Sequence, residues 1–317
     1  MAITIKNKQT GEIIKHGKPV VTSMTIDFLT MTVNVPEKEK SDVLNAFIAY
    51  CENWGIKHHA TGLYRNQAKI NSNKGQIILS IDPWIEDHNF IRAEFNPSKV
   101  SIYEVATALN LLLKNGFEKL IHEGRITRID LAFLVKYLHV SNLFVYYPKF
   151  QYSKNTLKSG KIQTAYLGDD SGPKILAIYD KNAEIQNCNN KPNMPKENIP
   201  PYPLTRVELR LRKQKNLKFT DLKNLENPFS SMSMVTSPKT KDDPLRLAFL
   251  RLCRYEGFNA ALNIFKDKKK RQDFRDSFFS EGDSSWWNPD ELWKTLPAAL
   301  DKIYPFSVKG LHLISKV

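Results

Sequence analysis

The sequence predicts an α+β fold: a largely antiparallel sheet with helices packed on one face, followed by a helical C-terminal region. Three observations predict it. Short segments with one apolar and one charged face recur between residues 24 and 212, the pattern of half-buried antiparallel strands. Ile102, Val105, Ala106, Leu109, Leu112, Leu113, Phe117 and Leu120 form an apolar stripe at helical spacing. From Leu245 onward the pattern is helical throughout.

Taken in order, Met24–Val35 reads as a strand closed by Pro36. Asp42–Trp54 reads as a helix with Ser41 as its N-cap and Gly55 at its end. Three strands are expected near Gly62–Asn71, Gln76–Ile81 and Phe90–Phe95, then one helix over Ile102–Ile121. Arg125–Val135 is a strand with Ile129, Leu131 and Phe133 on one face and Arg128 and Asp130 on the other. Residues 140–165 read as a short helix and then a strand. Asp169–Pro173 is a turn that delivers the strand around Ile175–Lys181, on which Tyr179 and Lys181 share a face. A polar, proline-rich loop covers 187–203. Leu204–Arg212 is a strand with Arg206, Glu208, Arg210 and Arg212 on its charged face. The expected organisation is a domain over 1–226, a linker over 227–243 and a helical region over 244–317, with helices at Leu245–Tyr255, Asn259–Phe279 and Asp290–Ile303.

A length of 317 residues, 41% hydrophobic and 11% aromatic, is enough for real cores. The formal net charge of +14 is spread over the chain and favours a polyanionic partner, most simply nucleic acid, over an acidic membrane surface. Cys51, Cys188 and Cys253 lack paired spacing, which points to a reducing compartment and away from zinc. With neither an apolar signal core nor a run long enough to span a bilayer, the expected location is cytoplasmic. No glycine-rich phosphate loop or Gly-x-Ser-x-Gly elbow occurs, which argues against an ATPase or a serine hydrolase. The seven histidines include no His-hydrophobic-His pair.

The charged strand faces together hold a tyrosine, a lysine, two carboxylates and several arginines: Tyr179, Lys181, Asp130, Glu208, Arg92, Arg128, Arg206, Arg210 and Arg212. Singly, each carboxylate reads as an ion-pair partner on a solvated sheet. Together, in a basic chain, they suit phosphoryl transfer. The tyrosine is a nucleophile that needs activation. Mg²⁺ or Mn²⁺ on Asp130 and Glu208 would polarise a phosphodiester. The lysine and arginines would hold developing and neighbouring charge. Lys268, Lys269, Lys270 and Arg271 form a basic run that is either a solvated helix face or a phosphate contact. Trp286, Trp287 and Trp293 read as packing anchors.

Four blocks carry a family resemblance. Arg125-Ile-Thr-Arg-Ile-Asp-Leu-Ala-Phe133 resembles the "S/T-R-I-D-x-x-F" strand of rolling-circle replication initiators of the filamentous-phage gene II type. Phe90–Val100 is similar to the block that precedes it there. Ile175–Glu184 is similar to the tyrosine block of those proteins and of the Rep_trans plasmid initiators, and Thr205–Arg212 resembles their final Arg-x-Glu strand. The blocks stand in the same order and cover roughly residues 90 to 215. The resemblance implies a metal-dependent endonuclease and strand transferase that nicks one strand of a double-stranded origin. It would stay on the 5′ end through tyrosine, leave a 3′ hydroxyl as primer, and later cut and rejoin displaced single-stranded DNA. Tyr179 would be the nucleophile, Asp130 and Glu208 metal ligands, Lys181 the assisting cation, and Glu184 a further ligand or proton acceptor. Host replication proteins such as a helicase would be partners. Leu134 stands where many plasmid members carry a second acid, with Asp27 on the first strand as the substitute; Tyr166 and Tyr202 are the alternatives for a second tyrosine. A conjugative relaxase of the same chemistry and a non-catalytic nucleic-acid-binding protein are the rival readings.

Overall fold

A computed structural model describes residues 3–6, 13–148, 150, 153–158, 161–192, 196–236 and 243–304. The first elements are strands β1 (Ile3–Lys6), β2 (Ile13–His16), β3 (Val20–Val21) and β4 (Thr25–Val33), then helix α1 (Glu37–Asn53). Strands β5 (His58–His59), β6 (Tyr64–Asn71), β7 (Gln76–Pro83) and β8 (Ile91–Phe95) precede helices α2 (Ile102–Leu112) and α3 (Gly116–His122). Next come β9 (Arg125–Lys136), β10 (Leu143–Tyr146), β11 (Ser153–Lys158), β12 (Lys161–Leu167) and β13 (Lys174–Asp180). Helix α4 (Lys181–Asn189) leads to β14 (Leu204–Lys218) and β15 (Ser233–Thr236). The chain then runs through α5 (Pro244–Glu256), α6 (Phe258–Ala261), α7 (Lys268–Glu281), α8 (Pro289–Trp293) and α9 (Leu296–Asp301). This is the α+β class read from the sequence.

The described residues form two compact units, interleaved along the chain. The first draws on Met1–Met24, Ala132–Arg210 and Asn227–Lys294, the second on Thr25–Leu131, Leu211–Glu226 and Thr295–Val317. This division differs from the sequence-based cuts at 226 and 243. Both boundaries inside the sheet fall within single strands, β9 and β14.

In the second unit, β4, β8, β7, β6 and β5 follow one another antiparallel, with β9 beside β4. The register sets Leu29 opposite Phe95, Leu79 opposite Ala93, and Ala68 opposite Leu79, so alternate residues enter one core. Val43, Phe47 and Cys51 of α1 and Val105, Leu109 and Leu112 of α2 are buried as well. The expected single helix over Ile102–Ile121 is two. Leu113 is extended and Asn115 adopts φ +55°, so α3 starts afresh at Gly116. The Asn110 side chain accepts from the Phe117 amide at 3.0 Å and secures the new helix start. Helix α1 begins four residues ahead of the expected Ser41 cap, directly after Pro36, with Glu37 and Glu39 favourably placed at its N-terminus.

In the first unit, β11, β12, β13, β14 and β9 are neighbours in that order, and β3 pairs with β9. Strands β10 and β15 form a separate antiparallel pair, with Val235 opposite Phe144. Those two residues join Phe249, Cys253, Phe258, Ala261, Leu262 and Phe278 in one core. The residues read as a linker are therefore packed over 228–236: Phe229, Met232, Met234 and Val235 are buried. Residues 237–242 of that span and 305–317 of the C-terminal region lie outside the described residues. Trp287 stacks on Phe133 at 5.5 Å and donates to the Met232 carbonyl, and Trp293 meets Phe229 edge-on, so both tryptophans are packing anchors. Among the described residues, no helix is long and apolar enough to cross a membrane.

Candidate active site

Tyr179 stands at the end of a buried strand. Ile175, Leu176, Ala177 and Ile178 before it are all buried, and Tyr179 itself is half-buried opposite Thr164 of β12. The next residue, Asp180, changes the local structure. Its carboxylate accepts from the Ala183 amide at 3.1 Å and caps α4. Its other oxygen lies 3.2 Å from His139 Nε2. His139 Nδ1 accepts from the Ser141 amide, which leaves the ring proton on Nε2, facing Asp180. Burial raises the Asp180 carboxyl, but the His139 bond and the Ala183 and Asn182 amides outweigh it, so its pKa is lowered from the ordinary value.

The strand therefore stops one residue before Lys181. Lys181 opens α4 and its ammonium pairs with Glu184 one turn on. This corrects the expectation that Tyr179 and Lys181 share a strand face. Helix α4 also takes the first residues of the segment read as a loop over 187–203. The Asn189 and Asn182 side chains then hold Glu197 and the Tyr202 carbonyl.

The Tyr179 hydroxyl donates to Glu208 Oε2 at 3.2 Å. Glu208 Oε1 accepts from Arg210 Nε at 2.7 Å, and Arg206 Nε lies 3.9 Å from Oε2. Glu208 is 6% exposed and Arg206 8%. Residues 204–209 of β14 are covered on both faces, so the charged face expected to be solvated is a buried polar cluster. The cause lies in the pairing: charges this deep persist only when compensated, and here each carboxylate oxygen has a donor. Burial raises the Tyr179 phenol well above its ordinary value, reinforced by the charges of Glu208 and Glu184 and only partly opposed by Arg210. Burial likewise lowers Arg206, with Glu208 opposing it. The result is a protonated phenol aimed at a carboxylate between two guanidinium groups.

The remaining predicted residues have the following partners within their own units. In the second unit, Asp130 is 2% exposed and takes two bonds from Arg128, at 2.9 Å and 2.5 Å. The Arg128 guanidinium also covers the Phe28 ring at 4.3 Å. Arg92 pairs with Glu94 at 2.9 Å on its own strand, Arg212 is half-buried on β14, and Asp27 accepts from Thr25. In the first unit, Tyr202 packs against Tyr137 at 4.7 Å, and Tyr166 lies opposite Ala177. Lys268, Lys269 and Lys270 are exposed on the first turn of α7, capped by Asp267. Arg271 instead donates to the Phe265 carbonyl at 2.8 Å. Lys268, Arg271 and Arg275 line a cleft of about 450 Å³.

A divalent cation needs several oxygen donors free to face it. Among the described residues, no group of three or more His, Cys, Asp or Glu side chains is arranged to hold one. Glu208 is engaged by Tyr179 and Arg210, Glu184 by Lys181, and Asp130 by Arg128. The side chains as they stand do not make a metal site.

Sequence reasoning missed His139 and Asp180. The Asp180 cap had a local signal, an Asp followed by helix formers with Glu184 in the first turn. His139 had none, because its partner is far along the chain.

No known family's profile matches the chain. Over 110 residues it is 32% identical to a replication initiation protein of Staphylococcus aureus. That match covers 33% of this chain and 32% of that protein, so the chain spans about a third of the length of the curated relative it matches. Among solved structures, a rolling circle replication initiator protein from Geobacillus stearothermophilus aligns over 74% of this chain and 97% of its own, at 15% identity and a TM-score of 0.39.

Proposed function

We propose that this chain initiates rolling-circle DNA replication as a site-specific nickase and strand transferase. The observation that carries the reading is the Tyr179 hydroxyl hydrogen-bonded to a buried Glu208 flanked by Arg206 and Arg210. The partial likeness to a replication initiation protein and the +14 charge support it.

In this reading Glu208 accepts the phenol proton as Tyr179 Oη attacks the scissile phosphorus. The O–P bond to tyrosine forms, the bond to the 3′ oxygen breaks, and that oxygen leaves as a hydroxyl by taking a proton from solvent water. Arg210 and Arg206 turn from the carboxylate, now neutral, to the phosphate oxygens, where charge develops. Attack by a 3′ hydroxyl on the tyrosyl phosphate reverses the step and rejoins a strand. Lys181, the first residue of α4, and its ion-pair partner Glu184, one turn on, are the assisting groups in this reading. A dependence on Mg²⁺ or Mn²⁺, brought in with the DNA phosphates, is part of the proposal.

The test is a supercoiled plasmid bearing the cognate origin, incubated with Mg²⁺ or Mn²⁺ or with chelator. Wild type is expected to nick it and to carry a covalent 5′ DNA adduct. Tyr179→Phe is expected to do neither. Equal nicking by Tyr179→Phe sinks the assignment of the nucleophile, and nicking in chelator sinks the metal requirement. Nicking by neither protein leaves a nucleic-acid-binding chain without cleavage.

A further inference from the structure

Helix α1 ends at Asn53, and Gly55, at φ +61°, reverses the chain. The reversal leaves Trp54 72% exposed on a cleft of about 860 Å³ in the second unit. Tyr50, one turn back, has its ring centroid 6.4 Å from that of Trp54, with the planes 42° apart. Helix α2 contributes Tyr103, 60% exposed, and Leu111, 55% exposed. Lys57 and Lys69 complete the lining and are both exposed. Three large apolar side chains left in water around one concavity mark an interaction site rather than ordinary surface scatter. The volume is that of a typical ligand pocket.

The lining chemistry selects the occupant. Aromatic faces accept bases of any sequence, and lysines at the same rim accept the phosphates between them. The carboxylate in the lining, Glu104, does not oppose this. It caps α2 by accepting from the Ser101 amide and also holds the Ser72 hydroxyl, each at 2.9 Å. An apolar peptide would leave both lysines without a counter-charge. Duplex DNA keeps its bases stacked inside, away from Trp54 and Tyr103. We propose that this cleft binds unpaired DNA, with bases stacked on Trp54 and Tyr103 and the backbone on Lys57 and Lys69. The inference rests on DNA being the partner, as in the function proposed above, and does not depend on Tyr179 or on cleavage.

The test uses the full chain and fluorescein-labelled dT12 in an anisotropy titration at low salt. The Trp54→Ala/Tyr103→Ala double variant is expected to bind about tenfold more weakly or worse. Lys57→Glu/Lys69→Glu is expected to weaken binding and to flatten its dependence on salt. An unchanged melting temperature shows that each variant folds, and Trp54→Phe retains most of the affinity because a ring remains. No binding of dT12 by wild type overturns the proposal. So does binding that neither double variant weakens, the result expected of a groove built for an apolar peptide or a second copy of this chain. Binding is read without cleavage, so a chain that nicks nothing but binds dT12 through this cleft keeps the proposal while the nickase reading fails.

Discussion

At Tyr179 the environment works against ionisation, so the phenol can act only if its proton has somewhere to go. Glu208 is the acceptor within reach, 3.2 Å away. Glu208→Gln keeps the shape and removes the acceptor. Nicking is expected to fall by about 10²- to 10⁴-fold in single-turnover assays, the usual worth of a positioned base. The same variant leaves Arg210 without its ion pair, and its thermal midpoint is expected to drop. Asp180 makes a separate prediction. Its pKa is depressed in the folded chain, so its contribution to stability is present above the ordinary 3.8 and is lost as pH falls below that value. Asp180→Asn is expected to lower stability at pH 7 and to flatten the acid limb of a denaturation series. An acid limb as steep as that of wild type would show that other carboxylates govern it. Tyr179 and Glu208 were legible in the sequence because strand alternation puts each on the face opposite its apolar neighbours. The clamp of His139 on Asp180 was not, since it joins side chains 41 positions apart with no shared periodicity.

At the scale of elements, the departures from sequence expectation occur where a local signal interrupts a longer pattern. The apolar stripe from Ile102 to Leu120 runs on in phase through the break, so periodicity alone joins α2 and α3. The signal of the break is Asn115-Gly116: Asn tolerates the left-handed conformation, and Gly admits the close approach that follows. A Cβ on Gly116 would lie 2.4 Å from the Leu109 carbonyl oxygen. Gly116→Ala is therefore expected to destabilise by roughly 1–3 kcal/mol in urea melts, the cost of overpacking against a backbone that cannot yield. The same kind of interruption ends β13. Asp180 ends the strand and caps a helix between Tyr179 and Lys181, so strand alternation no longer sets the two side chains on one face. Strand β15 escaped notice for the opposite reason. Met234 and Val235 are too short a run to stand out, and their burial comes from β10 and the helices.

For the whole molecule, the residues after 226 complete both units. Trp287 and Phe229 pack on Phe133 of the first unit. Tyr304 donates to Glu118 at 2.8 Å in the second, where Leu296, Leu300 and Ile303 are also buried. A fragment of residues 1–226 therefore lacks core from each unit. It is expected to lose near-ultraviolet circular dichroism and to aggregate. A cooperative melt of that fragment would show instead that the sequence-based domain cut is a physical one. Trp287→Ala in the full chain is expected to destabilise, by less than the roughly 3–5 kcal/mol of a fully buried aromatic because Trp287 is half-buried. Its sequence neighbours Trp286 and Asn288 give no hint of Phe133 as its partner.

The interleaving has a consequence for how the chain is made. Translation delivers residues in order, at roughly 5–20 per second. The first unit opens by residue 24 and still waits for the stretch that ends at Lys294. The second opens at Thr25 and waits for residues beyond Thr295. On the ribosome neither unit can close while the other is finished and set aside, and for some tens of seconds both expose unpaired strands and apolar side chains. A chain built this way completes neither unit until the stretches around Lys294 and after Thr295 have emerged, and its yield in a cell depends on what shelters it in that interval.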